Sequence, residues 1–465
     1  MKYSLYDVTR IVEGELLQGD PCVEALSVSI DSRTDVRGSL FCAICGDRVD
    51  GHDYLDEVAS KGAIGALVEK PVEVLDPTFG IVLVQSTTRA LGKLAAHYLG
   101  CMKVDVIGIT GSVGKTSTKD LISSVLSQRF KIYKNPGNMN SHIGLPLAVL
   151  QMECGYRYAV LEMAMRAQGE IRDLCAIAKP RFGVLTDISE SHIGVLGSIE
   201  KIALAKAEIL QSLPGNGISF LCWDSELVRK MSSLASCRVV TYGLRDDADC
   251  KASDIQKVDE STYRFKVDYL GKKEEFVLPM PGFHQIQNSL AAIAVGYEMG
   301  LSVDDIRSGL CSVSLSPMRQ EVIRTDRITV VNDAYNASVK STKAALDLLH
   351  DIRGARKVAI LGDMLEMGEY GPKAHCEVGA YARDKADVLV AIGPLSVHTK
   401  QGWDQVSGPE TEQTSFWFSD KNEAMGLLDR LLQCGDVCLV KASRGMEFES
   451  IVSFLRELGN SGDWG

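Results

Sequence analysis

At 465 residues the chain is longer than one hydrophobic core organises, so two to four domains are expected. A content of 45% hydrophobic and 24% charged residues suits a folded enzyme, and a formal charge of −11 argues against a nucleic-acid partner, so an anionic substrate must be drawn by local cations. No apolar run approaches the roughly 18 residues that cross a bilayer, and the N-terminus lacks a signal-peptide core, so a cytoplasmic protein without membrane insertion is expected.

Residues 1–86 read as a small α/β domain, with a helix around Leu5–Gly14, strands at Ser27–Ile30 and Ser39–Ile44, a helix near Tyr54–Lys61, and strands at Ala66–Val68 and Ile81–Val84. A helical pattern at Arg89–Leu99 opens a second domain, 87–315, in which strands Val104–Ile109, Tyr158–Glu162, Phe182–Thr186, Ile218–Cys222 and Val239–Tyr242 alternate with helices. That alternation builds a parallel sheet, and ligands bind such sheets at the carboxyl ends of the strands. Alternating residues around Gly271 predict an antiparallel hairpin over Ala252–Leu278. A new βα series, with strands Ile328–Val331, Lys357–Leu361, Val388–Ile392, Phe416–Phe418 and Val437–Lys441, predicts a doubly wound, Rossmann-like third domain over 316–465, its tail from Gly459 frayed. The thirteen cysteines form no C-x-x-C pair and fall mostly in apolar segments (Cys42, Cys101, Cys154, Cys175, Cys438), which predicts buried reduced thiols rather than a disulfide frame or a zinc site.

The most informative stretch runs from Val104 to Thr118, where an apolar strand feeds a glycine turn, Lys115 and Thr116, and then a helix expected from near Ser117. Gly111 and Gly114 let the backbone N–H groups of Thr110–Ser117, Ser112 and Val113 included, converge on phosphate oxygens; Lys115 can neutralise β/γ charge, and Thr116 can hold Mg²⁺. The general pattern G-x-x-x-x-G-K-[ST] is not met, because Ile109 stands where its first glycine belongs. A plain glycine turn is the alternative, disfavoured by the strand before the loop and the helix after it.

Other candidates follow strand ends. Glu162 is placed to hold Mg²⁺, against the alternative of an ordinary strand-end acid. His192 sits in a loop where imidazole can ligate metal or bind phosphate, although a solvent-facing histidine is the commoner case. Lys206 lies in a helix and reads from composition as a surface lysine. His284 and Asn288, four apart, share a helix face as base or phosphate contacts or as a cap. Arg319 stands at the entrance to the third domain and suits bidentate phosphate contact. Asp333 and Asn336, Leu361–Gly368, and Lys441–Arg444 rim the same edge of the third sheet.

In this order the pieces resemble the Mur ligases, the ATP-dependent peptide synthetases of cell-wall precursor assembly, over essentially the whole chain. Thr110-Gly-Ser-Val-Gly-Lys-Thr116 fits that family's own cradle, T-G-x-x-G-K-T; Glu162, His192, Lys206, Gly282…His284…Asn288, Arg319, Asp333-Ala-Tyr-Asn336 and Lys441…Arg444 follow in register. Within the family, Leu361-Gly-Asp-Met-Leu-Glu-Met-Gly368 looks like the signature of the member that adds D-alanyl-D-alanine to UDP-N-acetylmuramoyl-tripeptide, and Asp31-Ser-Arg33 with Ser39–Phe41 and Asp50-Gly-His52 resembles its uridine-nucleotide domain. The resemblance implies a three-domain, monomeric ligase acting through an acyl phosphate. It implies ATP contacts from the cradle, Asn288, Arg319, Asp333 and Asn336, and substrate contacts from Ser32, Arg33, Asn138, Asp363, Ser443 and Arg444. One Mg²⁺ would be held by Thr116 and Glu162, a second by His192 and a carbamylated Lys206, with Lys115, His192, Lys206 and Arg319 serving catalysis. The chain departs from the family at Asn332, Ser338-Val339, Ala442 and Met163-Ala-Met165, which bears on fine substrate contacts. The alternatives are another amide ligase of the superfamily, adding the third peptide residue or glutamate to folate, and a nucleotide-dependent switch that makes no bond.

Overall fold

The computed structural model describes residues 2–46, 48–191, 193–406 and 413–460. His192 and most of the tail expected to fray, 461–465, lie outside the described residues, whereas Gly459 and Asn460 close the last helix, Glu449–Asn460.

Among the described residues, three large sheets follow one another along the chain, beside a small antiparallel pair of Tyr3–Ser4 with Glu24–Ala25. In the first, strands β1 (Glu15–Gln18), β2 (Ser27–Ser29), β3 (Ser39–Cys42), β4 (Gly65–Val68) and β5 (Gly80–Leu83) are ordered β1-β5-β4-β3-β2, with β1 antiparallel and the rest parallel. Helix Thr87–Gly100, capped by the Ser86 hydroxyl, then carries the chain to the second sheet.

That sheet has nine strands: β6 (Asp105–Thr110), β7 (Ile132–Lys134), β8 (Tyr158–Glu162), β9 (Phe182–Leu185), β10 (Ile218–Cys222), β11 (Arg238–Gly243), β12 (Cys250–Lys257), β13 (Tyr263–Tyr269) and β14 (Lys272–Leu278), in the order β14-β13-β12-β11-β10-β9-β6-β8-β7. Its central strands are apolar throughout because helices cover both faces; β8 and β9 are buried along their whole length. The chain leaves β6 toward β8 on one side and returns to β9 on the other, so the loop after β6 stands at a topological switch point, where such sheets open a crevice.

The third sheet, β15 (Glu321–Arg324), β16 (Thr329–Asn332), β17 (Lys357–Gly362), β18 (Val388–Ile392), β19 (Thr414–Phe418) and β20 (Val437–Lys441), is ordered β15-β16-β20-β17-β18-β19 and is parallel except at β15. Helices on both faces enclose two hydrophobic cores, around Leu346, Leu349 and Trp403 on one side and around Leu428, Phe448 and Leu455 on the other.

Some expectations stand and others need correction. The hairpin turns at Leu270-Gly271, both at positive φ (48° and 89°), as a two-residue turn of right-handed twist requires. The hairpin is present as expected, and because β12 also pairs parallel with β11, the segment extends the sheet. The strands unseen in sequence, β1, β7 and β15, are short or half-exposed edge pieces whose alternation is too brief to stand out. Among the thirteen free cysteines, Cys42, Cys175 and Cys438 are buried, but Cys101 and Cys154 are exposed. Their apolar neighbours belong to the flanking helix and strand, while the thiols sit in the turns between.

Candidate functional site

The cradle helix, Lys115–Ser127, begins two residues earlier than its sequence suggests because Gly114, at φ +86°, caps it in a left-handed conformation. A Cβ on Gly114 would lie 2.5 Å from Asn288 Oδ1, and one on Gly111 (φ +149°) 1.9 Å from Thr186 Oγ1, so both positions require glycine for space as well as for backbone angle. The segment after β9 buttresses the loop: Thr186 Oγ1 donates to the Val113 carbonyl (2.8 Å), and Ser189 N donates to Ser112 Oγ (2.9 Å). The cradle is thus held open by its neighbours.

Its charges converge. Lys115 Nζ donates to the carbonyls of Gly111 (2.9 Å) and Ser112 (3.3 Å), and Lys206 Nζ reaches the same Gly111 carbonyl at 3.0 Å. Lys206 is not the surface lysine that composition suggests but is 1% exposed. Burial, and then the neighbouring Lys115 ammonium, pull its pKa well below the usual lysine value. Burial also lowers that of Lys115, against the opposing pull of Glu162.

Glu162 is buried at the end of β8 with every group engaged. Its Oε2 accepts from Thr116 Oγ1 (2.8 Å), its Oε1 from Asn140 Nδ2 (2.8 Å), and its backbone N donates to Asn135 Oδ1 (2.9 Å). Lys119, also buried, stands 3.8 Å from Oε2 and donates to the Asn135 carbonyl. Asn135, Asn140 and Lys119 are not candidates from sequence; the Asn-rich run from Asn135 to Asn140 is the one visible signal for the two asparagines, and Lys119 has none. Arg319 Nη2 donates to the same Thr116 hydroxyl at 3.1 Å, while its guanidinium lies 3.9 Å from the centre of the Tyr335 ring. Strand, cradle and interdomain arginine therefore meet on one oxygen.

A cleft of about 560 Å³ opens between the second and third sheets. It is lined by Ser112–Ser117, Asn138, Glu162 and Asn288 on one side and by Arg319, Asp333, Asn336 and Arg444 on the other. His284 also lines it, its pKa lowered to about 4 by burial, so that the ring is neutral near pH 7. Across the cleft, Lys441 Nζ pairs with Asp333 Oδ2 (2.6 Å) and donates to the Asn336 carbonyl (2.9 Å), which fixes the loop after β16. Lys340 bridges to Asp187 at 2.6 Å, and Gly194 meets Gly368 so closely that a Cβ on either would lie 2.6 Å from the other's backbone.

Not every candidate reaches this cleft. Thr110 is buried at the end of β6 beneath the loop. Asp363 accepts from the backbone N of Leu395 and Ser396 and from the Ser396 hydroxyl, and Ser443 Oγ accepts from Leu365 N, so both tie loops of the third sheet together and do not line the cleft. From the Leu361–Gly368 segment, Glu366 is the residue that lines it. Ser32 and Arg33 belong to the first sheet's unit, with Arg33 exposed and paired to Asp31 at 2.8 Å. Among the described residues no group of three or more His, Cys, Asp or Glu is arranged to hold a metal.

Comparison with known proteins gives three matching family models: the Mur ligase family, catalytic domain, over residues 25–99; the Mur ligase middle domain over 109–296; and the Mur ligase, glutamate ligase domain over 318–444. A UDP-N-acetylmuramoyl-tripeptide--D-alanyl-D-alanine ligase of Bacillus subtilis is 36% identical over 463 residues, covering 98% of this chain and 99% of the relative. The protein of that name from Escherichia coli is 32% identical over 464 residues, 98% and 99% of the two chains. Among solved structures, MurF from Acinetobacter baumannii superposes with a TM-score of 0.89 at 26% identity, over 98% of this chain and 99% of that one. MurF ligase from Thermotoga maritima, in complex with ADP, gives 0.82 at 28% identity, over 93% and 98%. Matches that span all three sheets and both walls of the cleft leave one conclusion: this chain belongs to the Mur ligase family.

Proposed function

We propose that this chain is the ATP-dependent ligase that joins D-alanyl-D-alanine to UDP-N-acetylmuramoyl-tripeptide in peptidoglycan precursor synthesis, releasing ADP and phosphate. The observation that carries the reading is the convergence of Lys115, Glu162 and Arg319 around Thr116, a phosphate cradle with an acid on one side and a cation from the interdomain linker on the other. Full-length relatives that bear this name support the choice of substrates.

The tripeptide's terminal carboxylate takes the γ-phosphoryl group of ATP, giving an acyl phosphate, and the dipeptide's amine then attacks the acyl carbon and expels phosphate. Bringing a carboxylate to a triphosphate opposes like charges. Lys115 and Arg319 offset that repulsion, and the cradle's N–H groups fix the phosphates in line. Glu162 and Thr116 present two hard oxygens 2.8 Å apart, a donor set that fits Mg²⁺. When bound, Mg²⁺ supplies further charge neutralisation between the two anions. Lys206, buried and readily neutral, suits reaction with CO₂, in which the amine gains a carboxyl group and loses a proton; the carbamate oxygens, with His192, would make a second metal-binding site.

The first sheet's unit, with Ser32 and Arg33 away from the cleft, suits an anchor for the uridine end, and we expect a cytoplasmic monomer. Hydrogen exchange should slow around Ser32-Arg33 and Ser39–Ile44 when the UDP-peptide binds. Protection confined to residues beyond Pro317 would reverse these roles.

The deciding experiment is a coupled ADP-release assay across UDP-peptides ending in diaminopimelate or lysine. ADP should appear at a sustained rate only with both UDP-tripeptide and D-alanyl-D-alanine, whereas ADP release independent of any peptide would favour a nucleotide switch. The enzyme adding diaminopimelate and folylpolyglutamate synthase share this fold at only 17% and 18% identity, well below the 36% and 32% of the UDP-N-acetylmuramoyl-tripeptide--D-alanyl-D-alanine ligases.

A further inference from the structure

The segment between the second and third sheets does not cross the gap freely. After helix Val303–Cys311 the chain runs back along the cradle helix, where Ser312 meets Ser124 Oγ (3.3 Å) and Gln128 Nε2 (3.2 Å), and two residues further on are fastened nearer the cradle. Ser316 donates through both its backbone N and its hydroxyl to Asp120 Oδ2, each at 2.8 Å, and Arg319 donates to Thr116 Oγ1 at 3.1 Å. Asp120 and Thr116 are four residues apart on one helix, hence one above the other on one face. Asp120 is 2% exposed, and its other oxygen accepts from Lys134 of β7 at 2.6 Å.

Between and beyond these anchors the backbone is strained. Met318 and Gln320, flanking Arg319, have φ of 59° and 56°, a left-handed region that side chains other than glycine disfavour. Such conformations persist where the surroundings over-determine them. Here they turn the arginine inward, onto Thr116 and the face of Tyr335.

We infer that Asp120 is a positioning residue for Arg319: by clamping Ser316 to the cradle helix it sets where the linker turns, and so delivers the guanidinium to the Thr116 hydroxyl. The inference rests on the reading of Arg319 as a phosphate-facing cation of a ligase. It assigns to Asp120 a part in catalysis through geometry alone, since its carboxylate is consumed by Ser316 and Lys134 and does not line the cleft.

A double-mutant cycle in the ADP-release assay with both peptide substrates tests it. Arg319→Ala should lower kcat about a hundredfold or more. Asp120→Ala should lower it about tenfold, the loss of a charge-assisted contact, and Asp120→Asn, which keeps an oxygen for Ser316, should recover most of that. The decisive value is the double variant: acting through Arg319, Asp120→Ala should cost less than about threefold on top of Arg319→Ala. Multiplied losses would overturn the inference and leave the role of Arg319 intact. Wild-type turnover by Arg319→Ala would overturn both. Lys134→Met should stay within about twofold of wild type; a loss equal to that of Asp120→Ala would show that Asp120 merely fastens β7, and would also overturn the inference. If Asp120→Ala does not fold, Ser316→Ala enters the same cycle, with non-additivity expected and additivity counting against the proposal.

Discussion

The two walls of the cleft are built on different plans. The cradle wall has a contiguous frame: strand β6, the glycine loop and the cradle helix run over Asp105–Ser127, with Glu162 and Asn288 brought against it, and the loop's shape follows from two glycines and the segment after β9. The opposite wall is assembled from distant pieces, Arg319 on the linker, Asp333 and Asn336 after β16, Glu366 after β17, and Lys441 and Arg444 at the end of β20. One wall carries chemistry in a preformed frame; the other carries cations and caps that must be delivered to it. A change in the first should therefore damage rate at little cost in stability, whereas a change in the second, Arg319 apart, should act first on stability.

The sharpest separation comes from Lys115→Ala. It removes a cation from the transferring phosphoryl group and no packed core contact, so kcat should fall about a thousandfold or more while the melting temperature moves little. Turnover within about threefold of wild type would break the comparison at its strongest point. Lys206, buried beneath the cradle loop, gives a second test: if it carries a carbamate, Lys206→Ala should be nearly inactive, partly rescued by formate or acetate, and Lys206→Arg should not replace it. An active Lys206→Arg enzyme would refute the carbamate.

On the delivered wall, Asp333→Ala should act first on stability. It leaves Lys441 buried and unpaired, at a cost of about 3 kcal/mol, seen as early melting of the third unit in calorimetry, and Asp333→Ala with Lys441→Met should recover part of it. If Asp333→Ala melts like wild type, the pair does not organise that wall.

Acid provides a smaller effect. His284 has its pKa lowered to about 4 by burial, whereas the unfolded ring titrates near pH 6.5. Between those values the unfolded state binds the additional proton, so this group's contribution is complete above pH 6.5 and stability declines as the pH falls toward 4, by roughly 2–3 kcal/mol. The difference in stability between wild type and His284→Gln, measured across that window, should change with pH accordingly; a constant difference would contradict the buried neutral ring. The smallest effect belongs to Glu260, at the tip of the β12–β13 turn, which pairs with Arg324 at 2.8 Å on the flank away from the cradle. Glu260→Gln should cost under about 1 kcal/mol, because the pair is partly solvated, and a larger loss would make this contact a third support for the delivered wall.

The contrast between the walls also explains which parts of the site could be read from sequence. Lys115, Thr116 and Glu162 were recognisable because a glycine loop between strand and helix has a local signature and a strand-end acid has a defined place. Lys206 shows the limit: its helix reads as amphipathic, and its burial against Gly111 depends on how that helix packs under the cradle. Asp363 shows the same limit from the other side: a charged residue in a motif suggests a substrate contact, and the fold engages its carboxylate with the N–H groups of Leu395 and Ser396. Asp120 carried no signal, because its partner is 196 residues away.

From its own order the sequence determined the alternation of strands and helices, the parallel character of the two larger sheets and the phosphate cradle, because hydrophobic periodicity, glycine conformation and helix capping act over a few residues. Tertiary structure alone decided which edge strands form, which lysines are buried, that Arg319 meets Thr116 from across the cleft, and that Asp120 holds the linker on its way there. Those outcomes depend on contacts between segments far apart in the chain, whose free energies exist only once the sheets and helices have packed.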